Sequence, residues 1–150
     1  MADNIIIRKA HYADIQPMAI LLEELFTIED DFVIDTQKQI RGLSLLLKTP
    51  NAFLYLAKHK NRVIGMITMQ RLVSTAMGEN VGLIEDLIVN SDFRRRGVGR
   101  LLLQNVIHKS EQLGYARLSL GADRRNDTAI GFYRAFGFEP SNIGLMYRIR

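Results

Sequence analysis

The chain of 150 residues contains no cysteine, which excludes a disulfide scaffold, a thiolate nucleophile and a zinc site with sulfur ligands. Its three histidines, His11, His59 and His108, are far apart and lack HExxH spacing, so we expect no metal site. No apolar run approaches the roughly 20 residues that span a bilayer. The first residues also lack the basic-then-apolar pattern of a signal peptide. These absences predict a cytoplasmic protein that does not enter a membrane.

Positive charge is concentrated in the second part of the chain. Residues 1–90 contain 9 Lys and Arg against 11 Asp and Glu, a balance of −2, whereas residues 91–150 contain 11 against 5, a balance of +6. A basic half favours an anionic partner. Nucleic acid and a phosphorylated cofactor both fit this charge.

The pattern of apolar residues predicts the element order β-α-α-β-β-β-α-β-α-β in a single domain that covers residues 1–150. The predicted strands are 5–7, 52–58, 62–73, 83–89, 117–120 and 144–149, and the predicted helices are 13–26, 36–48, 97–112 and 126–136. Strand 83–89, helix 97–112 and strand 117–120 form one crossover, so those two strands should be parallel. We therefore expect a mixed sheet flanked by helices.

The segment NSDFRRRGVGRLLL, residues 90–103, places three consecutive arginines and two glycines at the start of a predicted helix. The first N–H groups of a helix have no internal acceptor, and the helix dipole favours an anion there. Gly97 and Gly99 leave room for a bulky phosphate near the backbone. The segment is not a Walker loop, because GxxxxGK is absent, nor a dinucleotide fingerprint, because Leu102 replaces the third glycine. We interpret it as a cradle for a diphosphate.

Two motifs resemble those of the GNAT superfamily of N-acetyltransferases. LIVNSDFRRRGVGRLLL resembles the strand followed by Q/R-x-x-G-x-G/A, although many members have glycine at the position of Arg95. NDTAIGFYRAFGF, residues 126–138, resembles the N-x-x-A-x-x-x-Y-x-x-x-G-F segment. The element order is also similar over nearly the whole chain. The resemblance implies an α/β (α+β) fold with a mostly antiparallel sheet of about six to seven strands, about four helices and a splayed parallel strand pair.

The same resemblance implies acetyl-CoA as the donor, a primary amine as the acceptor, and no metal. Backbone amides of residues 95–100 would hold the pyrophosphate, and the end of strand 83–89 would pair with the pantetheine arm. Asn126 would hydrogen-bond the pantetheine or a nearby backbone group. The expected coenzyme-binding residues are Leu87, Ile88, Val89, Arg94, Arg95, Arg96, Gly97, Val98, Gly99, Arg100, Asn126 and Ala129.

Direct transfer of acetyl in a ternary complex needs no protein nucleophile, which agrees with the absence of cysteine and of a GxSxG elbow. Tyr133 matches the family's acid tyrosine, and we expect it to protonate the departing sulfur. From the residues alone, Phe132, Tyr133 and Phe136 also suit a purely structural aromatic core.

Glu85 is the expected general base, acting through a water molecule, and Asp86 is the alternative. Strand alternation places Leu83, Glu85, Leu87 and Val89 on one face and Ile84, Asp86 and Ile88 on the other. A carboxylate in the middle of an apolar strand is costly unless it is paired or faces a cleft. The sequence IEDLIV also resembles the polyamine-acetylating branch of the superfamily. Structural ion pairs are the other explanation of both carboxylates.

An acidic connector, TIEDDFVID, joins the first two helices, and in the superfamily this connector helps to form the acceptor site. Glu29, Asp30 and Asp31, together with Asp86, would attract a cationic amine. A solvated acidic loop explains the connector equally well.

Three further expectations concern an alternative function, nucleic acid and the methionines. A non-catalytic acyl-CoA-binding sensor on the same fold is the alternative function. We do not expect binding to nucleic acid, because no stacking aromatics alternate with the basic residues. Met66, Met69 and Met77 are expected to fill the core or the surface of a homodimer.

Overall fold

The computed structural model describes residues 4–28 and 34–150. The described strands are β1 (Ile5–Lys9), β2 (Ala52–His59), β3 (Arg62–Ser74), β4 (Glu79–Val89) and β5 (Leu118–Leu120). The described helices are α1 (Ile15–Ile28), α2 (Thr36–Lys48), α3 (Val98–Gln112) and α4 (Asp127–Arg134). Short 3-10 turns cover Tyr12–Asp14 and Ser91–Phe93. In these two ranges, no helix is long and apolar enough to cross a membrane.

The sheet has the strand order β1-β2-β3-β4-β5. Strands β1 to β4 pair antiparallel, and β5 pairs with β4 in parallel. The predicted fold class and the predicted parallel crossover are therefore confirmed. The strand count is five across the described residues, slightly below the expected six to seven.

The predicted strand 144–149 is not formed. Ile143, Leu145 and Met146 expose 87%, 75% and 95% of their surface, respectively. The segment lies near the loop after β5, where Leu145 Cδ1 is 3.5 Å from the place of a Cβ on Gly121. Among the described residues β5 pairs only with β4, so this segment does not add a strand.

Helices cover both faces of the sheet and divide the core into two clusters. Helices α1 and α2 cover one face, where Met18, Leu43 and Leu56 are buried. Helix α3 covers the opposite face, where Leu102 and Val106 are buried among side chains of β2, β3 and β4. Of the three methionines noted above, Met66 and Met69 belong to the core, and Met77 is exposed at the β3–β4 turn.

A β-bulge interrupts the pairing of β3 with β4. Ile67 pairs with Leu87 and Met69 pairs with Ile84, so two residues of β4 lie opposite Thr68. A bulge of this kind shifts the alternation of side chains along the strand. Ile84 consequently packs against α3, whereas Ile88 packs against α1 and α2. The prediction that Ile84 and Ile88 share a face is wrong for this reason.

Gly65 of β3 allows the first turn of α3 to lie close to the sheet. A Cβ at this position would lie 3.0 Å from Leu102 Cδ1, 3.3 Å from Val98 Cγ1 and 3.2 Å from the carbonyl oxygen of Ile88. Since the last of these is a backbone atom, a larger residue could not be accommodated by side-chain movement alone. The close contact fixes the amino end of α3 beside the carboxyl end of β4.

Candidate functional site

The carboxyl-terminal half of β4 has an unpaired edge. Its pairing with β5 covers only Gly82–Leu118, Leu83–Ser119 and Ile84–Leu120. Residues 87–89 continue beside β3, and no described strand pairs with them on the β5 side. Main-chain groups of residues 87–89, other than the Val89 carbonyl that accepts from Arg94, are therefore available to an extended ligand. The residues expected to pair with the pantetheine arm, Leu87, Ile88 and Val89, lie in this unpaired part.

Helix α3 begins immediately beyond that edge with a glycine in the left-handed conformation. Gly97 has φ +80° and ψ 9°, and the place of its Cβ has no heavy atom within 4 Å. This conformation costs little for glycine and strains other residues. Arg95 also has a positive φ, 63°. The first hydrogen bond of the helix joins Leu101 N–H to the Gly97 carbonyl.

The main-chain N–H groups of residues 95–100 make no hydrogen bond of good geometry within residues 4–28 and 34–150, although residues 94–97 form a turn. Unpaired N–H groups at a helix start attract an anion, and the helix dipole adds to this attraction. The predicted cradle therefore has its nitrogens free and open space beside Gly97.

Helix α4 meets the start of α3 and the end of β4 at Gly99. A Cβ at Gly99 would lie 3.6 Å from Phe132 Cζ and 3.7 Å from Val89 Cγ2. Tyr133 follows Phe132, is half-buried, and contacts Phe132 and Phe138 edge-on at centroid distances of 5.4 and 6.0 Å. The expected acid thus belongs to an aromatic cluster beside the glycine loop, and its catalytic role stays a prediction.

Asn126 caps helix α4. Its side-chain oxygen accepts a hydrogen bond from Ala129 N–H at 3.0 Å. This is a typical N-cap interaction, and it satisfies one of the free donors of the helix. Of the two partners expected for Asn126, the structure contains the nearby backbone group, and contact with pantetheine stays a prediction.

The arginines of the loop differ in their contacts. Arg94 donates from Nη2 to Glu24 Oε1 at 3.3 Å and from Nε to the Val89 carbonyl at 3.2 Å. Arg96 lies over the ring of Phe93 at 5.1 Å. Arg100 lies over the ring of Phe136 at 5.2 Å, and Arg95 is exposed. Stacking leaves guanidinium N–H groups at the ring edge available, so Arg96 and Arg100 can still meet an anion.

Phe93 packs against three basic side chains beside the glycine loop, a contact that the sequence did not predict. Its ring is 9% exposed and is also contacted by Arg62, at 5.4 Å, and by the His59 ring, at 5.3 Å. A cation over an aromatic face is attracted by the ring quadrupole. The only signal in the sequence is an apolar residue directly before three arginines.

The two candidate bases have different surroundings at the bulge. Glu85 is exposed. Asp86 is half-buried, and its N–H donates to Thr68 Oγ1 at 3.1 Å. The Thr68 hydroxyl in turn lies 3.5 Å from Asp86 Oδ2 and is itself fully buried. The buried hydroxyl thus ties Asp86 to the neighbouring strand, whereas Glu85 faces solvent.

Acidic residues near the expected acceptor site are only partly described. Glu29, Asp30 and Asp31 lie outside the described residues. Asp35 caps α2, accepting from Lys38 N–H at 3.2 Å.

The Asp123–Arg125 pair lies at the surface just before α4. A hydrogen bond from the Arg125 side chain lowers the pKa of the exposed Asp123 to about 2.

In the part of the chain described here, no group of three His, Asp or Glu residues is placed to hold a metal ion.

The family model of the GNAT acetyltransferases matches residues 17–138, well over half of the chain. The chain belongs to the GNAT acetyltransferase family. The matched range includes the glycine loop and the Tyr133 segment, so the resemblance noted from these motifs is confirmed.

Individual relatives are more distant. The chain is 37% identical to a [ribosomal protein bS18]-alanine N-acetyltransferase of Salmonella typhimurium over 62 residues, 41% of this chain and 42% of that protein. It thus spans less than half the length of this curated relative. A transcriptional regulator from Bacillus halodurans has a TM-score of 0.86 at 21% identity, covering 97% of this chain and 99% of that one. An aminoglycoside acetyltransferase from a soil metagenome has a TM-score of 0.81 at 22% identity, covering 100% of both. These structures show the fold alone.

Proposed function

We propose that the protein is an N-acetyltransferase that moves acetyl from acetyl-CoA to a primary amine in a ternary complex. The observation that carries the proposal is the run of free N–H groups at residues 95–100, in a chain of the GNAT family. Six donors at a helix start, with Gly97 leaving open space, suit the diphosphate of coenzyme A. The unpaired edge of β4 suits the pantetheine arm.

Starting from an ammonium, the chemistry requires three proton transfers. A lysine-like ammonium must lose a proton before it attacks, which costs about 4–5 kcal/mol at pH 7. The amine nitrogen then forms a bond to the acetyl carbon and loses a second proton, the carbon–sulfur bond breaks, and the sulfur takes a proton. A main-chain N–H of β4 directed at the thioester oxygen would stabilise the negative charge that develops there.

We assign to Tyr133 the role of the acid that protonates the departing sulfur. We assign to Glu85 the role of the base that removes the amine proton through a water molecule. Two observations support the choice of Glu85 over Asp86: Glu85 is exposed, and the main chain of Asp86 is held by the buried Thr68 hydroxyl. We assign Asp86 to the acceptor side together with Glu29, Asp30 and Asp31, where carboxylates would attract a cationic amine.

The relatives suggest which amines to test. One is named for an alanine of a ribosomal protein and one for aminoglycosides. An N-terminal amine and an aminoglycoside are therefore the first two acceptors in a panel that also contains lysine and polyamines. We also propose that the protein is cytoplasmic, as expected from the sequence. Light scattering would test whether it forms a homodimer.

The experiment combines thermal shift with thiol release. CoA at 100 times its Kd should stabilise the protein by about 2.7 kcal/mol, and at least one amine should release CoA from acetyl-CoA. Tyr133→Phe should lower turnover much more than CoA affinity. If CoA raises the melting temperature, no amine is acetylated, and Tyr133→Phe leaves the thermal shift unchanged, the results would favour the acyl-CoA-binding sensor. A shift with oligonucleotide and none with CoA would contradict the proposal.

A further inference from the structure

Glu24 of α1 contacts both ends of the short segment that joins β4 to the glycine loop. Its Oε1 accepts from Ser91 N–H at 2.9 Å and from Arg94 Nη2 at 3.3 Å. Arg94 also donates from Nε to the carbonyl of Val89, the last residue of β4. One carboxylate oxygen and one guanidinium therefore connect α1, the end of β4 and the residue that precedes the free N–H groups.

The contact lies in a partly shielded position. The side chains of Glu24 and Arg94 are 27% and 43% exposed. An isolated ion pair with this exposure contributes little to the free energy of unfolding. The bond to Ser91 N–H is charge-assisted and joins residues 67 positions apart. The arrangement is therefore better suited to fixing the path of the loop than to stabilising the fold.

We propose that Glu24 is a positioning residue for coenzyme binding, acting through Ser91 and Arg94. The inference rests on the proposed function. Fixing residues 91–94 holds the N–H groups of 95–100 in one arrangement before the diphosphate arrives, which lowers the entropy lost on binding. We call the contact among Glu24, Ser91 and Arg94 the latch. The charge of the diphosphate is then met by Arg95, Arg96 and Arg100, together with the free N–H groups.

The inference reverses a simple electrostatic expectation. Coenzyme A is a polyanion, so a carboxylate beside its binding loop should repel it, and removing Glu24 should tighten binding. If the latch positions the loop, removing Glu24 instead weakens binding. The sign of the change therefore separates a positioning role from a charge effect.

The experiment measures the Kd of CoA by calorimetry for Glu24→Ala, Arg94→Ala and the double variant. The latch predicts about tenfold weaker binding in each, with no further loss in the double variant, because the two residues act as one unit. A pure charge effect predicts tighter binding for Glu24→Ala, weaker binding for Arg94→Ala and no change for the double variant, whose net charge is conserved.

Two controls separate the latch from general effects. Glu111→Ala makes the same charge change on the exposed surface of α3 and should leave the Kd unchanged. Asp14→Asn removes a buried carboxylate at the other end of α1, so it should lower Tm and also leave the Kd unchanged. If Asp14→Asn weakened CoA binding as much as Glu24→Ala, the effect of Glu24 would be loss of stability, and the inference would be wrong.

A spectroscopic readout tests the contact without coenzyme. The Ser91 amide proton should move upfield in Glu24→Ala, as expected for a lost charge-assisted hydrogen bond. If Glu24→Ala does not fold, Glu24→Gln keeps an acceptor for Ser91 without the charge, and about threefold weaker binding is expected. An unmoved Ser91 signal, or unchanged or tighter binding of CoA, would overturn the latch. A wild-type protein that did not bind CoA would instead contradict the proposed function.

Discussion

Two regions of the chain differ in burial: the residues before Glu111 and the residues from Glu111 onward. Every buried residue of the described chain precedes Glu111, the last being Ser110. From residue 111 to 150, β5 is half-buried, α4 has no buried residue, and the segment after Phe138 is exposed. The first region therefore supplies the apolar burial that stabilises the fold.

The candidate site lies where the two regions meet. The free N–H groups and the arginines belong to the first region, and the aromatic side chains of α4 belong to the second. Because few residues of the second region are tightly packed, its surfaces remain open to a ligand. The comparison suggests that stability and coenzyme binding depend on largely separate residues, and the following predictions test that separation.

The largest effect is expected in the first region. Leu56 of β2 is fully buried between the sheet and the helices α1 and α2. Leu56→Ala should lower the free energy of unfolding by about 3 kcal/mol, through lost burial and the cavity left behind. Urea denaturation measures this loss in the free energy of unfolding. A loss below about 1 kcal/mol would mean that this cluster is not tightly packed.

A smaller effect is expected from Asp14, which accepts two hydrogen bonds from Arg8, at 2.8 and 3.0 Å, and one from His11 N–H, at 2.7 Å. Asp14→Asn should cost about 2 kcal/mol at pH 6. Hydrogen bonding from Arg8 lowers the pKa of Asp14 below its ordinary value of 3.8. The stabilisation is therefore complete well above pH 3.8 and is lost as the pH falls through the lowered pKa. A difference between variant and wild type that stayed constant down to pH 2 would contradict this assignment.

Gly97 should matter more for binding than for stability. Gly97→Ala places a side chain at φ +80°, where the strain costs about 1 kcal/mol. The Cβ would also enter the space assigned to the diphosphate, so CoA affinity should fall by about tenfold or more. Thermal shift with and without CoA measures both quantities. Gly114→Ala is the matched control, because Gly114 has φ +73° and lies at the other end of α3. Equal loss of CoA affinity in both variants would contradict the assignment.

The smallest effect is expected in the exposed segment after Phe138. Leu145 is 75% exposed, so Leu145→Ser should change the free energy of unfolding by no more than about 0.5 kcal/mol. Light scattering on the same samples reports whether this segment joins two copies. A loss of more than 1 kcal/mol, or dissociation of a dimer, would show that the second region contributes to stability through contacts outside a single chain.

The sequence predicted those features that depend on neighbouring residues. Gly114 and Gly137 follow the predicted helices 97–112 and 126–136 and have positive φ, and Asp35 caps α2. The glycine loop and the order of the described elements up to α4 are also local or periodic features.

Features that depend on distant residues were missed. The bulge of β4 involves Thr68 on the neighbouring strand, and strict alternation therefore assigned Ile84 and Ile88 to the same face. Glu24 meets Ser91 across 67 positions, with no mark in the helical pattern of α1. Segment 144–149 is rich in apolar residues, but forming a strand requires an edge to pair with, which a pattern within the segment does not specify.

The central claim is that the main-chain nitrogens of residues 95–100 bind the diphosphate of coenzyme A. Amide hydrogen exchange, resolved by NMR at Gly97, Val98 and Gly99, tests it most directly in the presence of saturating CoA. The account predicts that exchange at these amides slows by about tenfold or more, since each gains a charge-assisted acceptor. Unchanged exchange at all three, with protection by CoA appearing elsewhere in the chain, would contradict it.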